Sequence, residues 1–200
     1  MGKVRLRISG KGENFETLNN LIDKQIALLL PVIKDIFVGF EGKDSLEILI
    51  GRMLTERNQS LAVAESCTGG RLAAALTEHP GASRFFKGGL VTYHTQSKID
   101  VLGVKAADIQ QHSVVSETVA AQMAAQCQKI FKTDYALATT GNAGPDKGDS
   151  DAEVGTVCIG LATPKEVFTY SFLFGKNRER VMGKAVNKSL ECLLKEISKK

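Results

Sequence analysis

The chain has 200 residues, 43% hydrophobic and 24% charged, with a formal net charge of +4 at pH 7. That length holds one α/β domain plus a small appendage and excludes two large domains. The composition is that of a soluble globular protein, and no apolar run approaches the roughly 18 residues a membrane span needs.

The opening MGKVRLRISG is basic but runs into polar GKGEN, unlike a secretory leader, so a cytoplasmic location is expected. Residues 3–8 alternate apolar and basic and predict a short half-buried strand. In FETLNNLIDKQIALLL, Leu18, Leu21, Ile22 and Leu29 recur at helical spacing, with Pro31 marking the expected end. IFVGF at 36–40 reads as a second strand. This βαβ-sized unit is too small for a large core alone, which places a boundary near residue 43: an appendage at 1–43 and the main domain at 44–200.

Asp44 and Glu47 have the form of a capping box, so a helix is expected through SLEILIGRMLTER before the strand LAVAE. The polar turn Ser66-Cys67-Thr68-Gly69-Gly70 then leads into a second helix. Its glycines let the main chain approach a ligand, and their amides suit a phosphate or carboxamide oxygen. LVTYH predicts a strand, and a short helix carrying Lys98 follows. Ser116 is the expected N-cap of the alanine-rich helix ETVAAQMAAQCQKIF, which would pack closely on a sheet. DYALATT reads as a buried strand and GNAGPDKGDSDAEVG as a polar loop. TVCIGLA and VFTYSFL would pair through Thr163-Pro164-Lys165, and RERVMGKAVNKSLECLLKEIS would close the chain as an amphipathic helix. This order implies an α/β fold: a mixed β-sheet covered by helices on its faces, with a small N-terminal βαβ appendage.

Four cysteines without a CxxC pair and three histidines without HExxH spacing give no support for a metal site or a disulfide scaffold. No metal and no cofactor are expected. The absence of tryptophan and of any long basic stripe argues against a nucleic-acid partner. Three polar segments fall at strand ends, ESCTGG, VTYHTQSK and TTGNAGP, where sites on a rigid sheet tend to gather. GxSxG is absent, which leaves a lysine as candidate base; Lys98, among Ile99, Val101 and Leu102, would need burial to lose its proton near neutral pH. Each residue also has a structural alternative. Ser83 after Pro80-Gly81-Ala82 suits a helix cap, Tyr93 a sheet position, Lys98 a solvated helix face, and Ser66 and Thr140 local backbone bonds. His94 reads as an edge histidine.

From about Asp44 onward, AESCTGGRLAAALTEHPGASRFFKGGLVTYHTQSKIDVLGV, HSVVSE, TGNAGP and VGTV together resemble the C-terminal domain of the CinA (competence/damage-inducible) family. That domain is also known as a stand-alone nicotinamide-nucleotide amidohydrolase. Residues 3–43 are similar to the tail of the family's KH-like linker domain. The resemblance implies hydrolysis of the carboxamide of nicotinamide mononucleotide to nicotinic acid mononucleotide and ammonia, in pyridine-nucleotide salvage, by a homodimer and without a metal. It also implies Ser83 as nucleophile, Lys98 as general base and Tyr93 as a supporting hydroxyl. Ser66, Thr68, Gly69, Gly70, Thr140, Gly141 and Arg178 are implied as substrate-pocket positions. The chain departs from the family pattern at His94-Thr95, where serine-asparagine is usual, and at Asn142, where an apolar residue is usual. Those departures motivate a second reading, a non-catalytic nucleotide-binding or interaction module. A hydrolase for another amide is a third.

Overall fold

The computed structural model describes residues 6–34, 37 and 45–199. The chain divides into two compact units, Met1–Lys43 and Asp44–Lys200. In the first unit the described residues contain one helix, α1 (Phe15–Ile33), with Asn14 Oδ1 accepting from the Thr17 amide at 2.9 Å. α1 runs through Pro31 and ends at Ile33, two residues beyond the expected stop, because a proline in the last turn removes only one i→i−4 bond. Leu6–Gly10 have no regular structure. The rest of the strand expected at 3–8, and all but Phe37 of the one expected at 36–40, lie outside the described residues.

The second unit is a five-stranded mixed sheet in the order β2-β1-β3-β4-β5. Its strands are β1 (Leu61–Glu65), β2 (Phe86–Val91), β3 (Tyr135–Gly141), β4 (Thr156–Ala162) and β5 (Val167–Leu173). β2, β1 and β3 are mutually parallel, while β4 and β5 add on antiparallel. The helices are α2 (Leu46–Glu56), α3 (Arg71–Thr77), α4 (Thr95–Asp100), α5 (Ala106–His112), α6 (Glu117–Phe131) and α7 (Arg178–Ile197).

Alternation along the central strands sorts the core into two layers. Leu61, Val63, Tyr135 and Leu137 face α2, α3 and α7, meeting Leu72, Val181, Leu190 and Leu193. Ala62, Ala64, Ala136 and Ala138 face α6, meeting Val119, Met123 and Cys127. Small side chains on both partners let α6 lie close to the sheet. Gly160 of β4 marks the limit of that approach, since a Cβ there would stand 2.1 Å from the Ala120 carbonyl oxygen.

Several boundaries differ from expectation. β2 starts at Phe86 and ends at Val91, so Thr92, Tyr93 and His94 lie beyond it rather than inside a strand at 90–94. Gly88 and Gly89, which precede the strand expected at 90–94, are strand residues where side chains have no room. A Cβ on Gly89 would come 2.5 Å from Val63 Cγ2, and one on Gly88 2.6 Å from Phe131. Ser45 is the N-cap of α2, without a side-chain bond, and Asp44 lies outside the described residues. The short helix α5 has no counterpart in the sequence reading. Ser116 does cap α6, its hydroxyl accepting from the Val119 amide at 3.2 Å.

The carboxyl ends of β1, β2 and β3 therefore open at one edge of the sheet. The register pairs Glu65 with both Val91 and Thr139, so the segments after all three strands meet there. β5 ends at the same edge and delivers the start of α7 to it.

Candidate active site

Ser66 is the first residue past β1, and its amide donates to the Thr139 carbonyl at 3.0 Å. Thr92 is the first residue past β2, and its amide donates to the Glu65 carbonyl at 2.9 Å. The chain then turns into α4, capped by His94, whose Nδ1 accepts from the Gln96 amide at 3.2 Å. One turn of that helix points Lys98 back under the strand ends, where it is 1% exposed. Its Nζ lies 2.9 Å from the Thr92 carbonyl oxygen, 3.1 Å from that of Tyr93, and 3.0 Å from Ser66 Oγ.

The geometry serves both protonation states: the ammonium donates to all three oxygens, and in the neutral amine two N–H groups can stay on the main-chain carbonyls while the lone pair faces the Ser66 hydroxyl. Burial pushes the Lys98 amine down from its ordinary value near 10.5 to about 8, with Cys67 and Asp149 partly opposing that fall. About a tenth of the protein would then hold Lys98 neutral at pH 7. Cys67, the only thiol lining the cleft among the described residues, is pushed up to about 12 by burial, so it stays protonated and is a poor nucleophile.

The Ser66–Lys98 pair opens into a cleft of about 200 Å³. Tyr93, Thr140, Gly141 and the loop from Asn142 to Asp149 line it, together with Arg178 from the first turn of α7. Arg178 Nη2 donates to Tyr93 Oη at 2.8 Å and Nη1 to the Gly144 carbonyl at 2.9 Å, tying loop, helix and aromatic ring together. A larger cavity of about 690 Å³ adjoins through Thr95, Val114, Val115 and Asp149. Among the described residues no group of His, Cys, Asp and Glu has the arrangement of a metal site.

A profile of the CinA C-terminal domain matches residues 43–197. The chain belongs to the CinA family. A CinA-like protein of Flavobacterium psychrophilum is 50% identical over 198 residues, covering 99% of this chain and 47% of that protein. The chain thus spans about half the length of the curated relatives it matches. Among solved structures, a CinA superfamily protein from Klebsiella pneumoniae is similar with a TM-score of 0.74 and 33% identity, covering 76% of this chain and 96% of that one. A competence or damage-inducible protein from Enterobacter asburiae matches with a TM-score of 0.74 and 34% identity, covering 78% and 100%.

Within this CinA domain the sequence-derived candidates separate into two groups. Lys98, Ser66, Tyr93, Thr140, Gly141 and Arg178 converge on the cleft. Ser83 does not. It sits exposed in a single 3₁₀ turn, Ala82–Arg84, just before β2, where the neighbouring Phe85 carbonyl accepts from the Leu61 amide at the start of β1. Lys98 follows the other end of β2, and six strand residues span roughly 17 Å. The pairing of Ser83 with Lys98 is therefore corrected: the hydroxyl that meets the lysine is that of Ser66.

The glycine turn also works differently from the phosphate cradle its sequence suggests. The Gly70 amide donates to Glu65 Oε2 at 3.0 Å, and the Gly69 amide to the Ser66 carbonyl at 3.0 Å. Leu72 and Ala73 donate to the same Glu65 carboxylate at 3.0 and 2.8 Å. The start of α3 is thus filled by the protein's own anion. Thr68 is buried and its hydroxyl shares a 2.7 Å bond with Thr139, away from the cleft lining. Thr140 lines the cleft, while its hydroxyl donates to the Val114 carbonyl at 2.8 Å. The sequence pattern gives Glu65 no role beyond opening the polar segment ESCTGG; an acidic residue ending a wholly apolar strand, just before a helix start, is the signal that marks it.

Proposed function

We propose that this CinA domain hydrolyses the carboxamide of nicotinamide mononucleotide, with Ser66 as nucleophile and Lys98 as general base. The observation that carries this reading is the 3.0 Å approach of a buried lysine amine to a strand-end serine beside an open cleft. The substrate comes from the family resemblance, and the chemistry from the pair.

Neutral Lys98 takes the proton of Ser66 as Oγ attacks the carboxamide carbon. The tetrahedral adduct collapses as its C–N bond breaks, and the Lys98 ammonium returns the proton to the departing ammonia. Water then attacks the acyl ester with Lys98 again accepting a proton; the ester C–O bond breaks, Ser66 regains its hydrogen, and nicotinic acid mononucleotide leaves. Tyr93 and Arg178 flank the cleft, whose rim carries the cations Arg178 and Lys147 beside the acids Asp146 and Asp149; the two cations are the groups that would meet a phosphate monoester.

The two departures from the family pattern are absorbed locally. His94 caps α4, and Asn142 Nδ2 donates to the Ala152 carbonyl at 2.7 Å, holding the loop. Neither bond alters the Ser66–Lys98 contact, so the catalytic reading is favoured over a binding module. Incubation with nicotinamide mononucleotide tests it: one ammonia and one nicotinic acid mononucleotide should form per substrate consumed. Binding of the nucleotide without either product would overturn the reading.

A further inference from the structure

Glu65 is the last residue of β1, is fully buried, and stands next to Ser66 in the chain. Its carboxylate accepts from three amides, those of Gly70, Leu72 and Ala73. An ordinary helix cap sits immediately before the first helical residue, a place held here by Gly70. The acceptor instead arrives from five residues upstream, on the strand that carries the serine. Its bonds consequently close a loop around Ser66–Gly69 and fix both ends of that turn.

Fixing is needed because Gly69 and Gly70, at φ of 60° and 93°, form the part of the turn with the most conformational freedom. The turn is also tied by the Gly69 amide to the Ser66 carbonyl, the Arg71 amide to the Thr68 carbonyl, the Ser66 amide to the Thr139 carbonyl and the Thr68–Thr139 hydroxyl pair. With Glu65 in place, the main chain of Ser66 is held from β3 on one side and from α3 on the other. The amides of Cys67 and Thr68 lie within the loop that these bonds close, so the same three bonds also set the direction of the two donors that follow the nucleophile.

We infer that Glu65 is a positioning residue for catalysis: by gathering the amides of Gly70, Leu72 and Ala73 it holds Ser66 Oγ at the Lys98 amine. This rests on the Ser66–Lys98 reading above. A carboxamide keeps the size of the side chain but turns an NH2 toward one of the three amides, so Glu65→Gln loosens the turn with little change in volume. In the full chain, kcat for nicotinamide mononucleotide should fall about 10- to 100-fold in Glu65→Gln with KM within about threefold of wild type, the pattern of a nucleophile displaced by a fraction of an ångström.

A second readout does not depend on turnover. The titration of Lys98, followed by NMR of a 13C-labelled lysine ε-carbon, should shift in Glu65→Gln in the same direction as in Ser66→Ala, since both lose the serine contact. A folded Glu65→Gln with wild-type kcat and an unchanged Lys98 titration would reduce Glu65 to a helix cap and overturn the inference. If wild type releases no ammonia, the function fails while the Lys98 titration still decides the role of Glu65.

Discussion

The two edges of the sheet each present a serine on a turn, and only one of them meets a lysine. At the amino end of β2, Ser83 is exposed in a 3₁₀ turn. At the carboxyl end of β1, Ser66 is 7% exposed and lies 3.0 Å from an amine that burial has stripped of much of its basicity. Ser83 is nearer to Lys98 in sequence and Ser66 is nearer in space, because a strand carries the chain straight across the molecule while parallel pairing brings the ends of different strands together. Sites at the carboxyl edge of parallel strands are a general property of such sheets, and the Ser66–Lys98 pair lies at that edge.

The sharpest way to break the contrast is to remove the amine. Lys98→Met should lower kcat about 1,000-fold or more while the protein stays folded, because among the described residues the base hydrogen-bonded to Ser66 Oγ is Lys98. Retention of wild-type turnover in an ammonia assay would erase the difference between the two edges.

The pH profile sharpens the same point. Because only neutral Lys98 acts as base, kcat should rise about tenfold per pH unit below pH 8 and level off above it. Stability follows the same group. Between about 8 and 10.5 the unfolded chain holds a proton on Lys98 that the folded chain has released, so the stability of wild type relative to Lys98→Met should increase as pH rises through that window. Below pH 8 both states hold the proton, and the burial cost is fully present. Denaturant melts of the two proteins at pH 7, 8.5 and 10 would show a flat or falling difference if the amine were not depressed.

A smaller effect is expected at the rim. Tyr93→Phe removes the hydroxyl that receives Arg178 Nη2 but leaves the Arg178 bond to Gly144, so KM should rise roughly fivefold, the worth of about one exposed hydrogen bond. The smallest belongs to the other edge: Ser83→Ala should leave kcat/KM within about twofold of wild type, since surface substitutions away from a site have little effect.

Much of this molecule is legible in the sequence. The apolar strand LAVAE, the Ser116 cap and the terminal amphipathic helix all carry local signals, and each forms where those signals put it. The strand β2 is misread because its glycines answer to tertiary crowding by Val63 and Phe131, which no local pattern reveals. For the site, the three polar strand ends are visible as a group, and Lys98 stands out by its apolar neighbours. Which serine it reaches depends on the register of β1 against β2, a long-range fact. The role of Glu65 is hidden for a related reason: glycines at a helix start advertise free amides, and only the folded chain shows them already taken.

The central claim is that Ser66, held against Lys98, is the nucleophile. Its most direct test is the initial rate of ammonia release from nicotinamide mononucleotide by Ser66→Ala and Ser83→Ala, each confirmed folded by circular dichroism. The account predicts loss of turnover in Ser66→Ala and a near wild-type rate in Ser83→Ala. An active Ser66→Ala beside an inactive Ser83→Ala would contradict it.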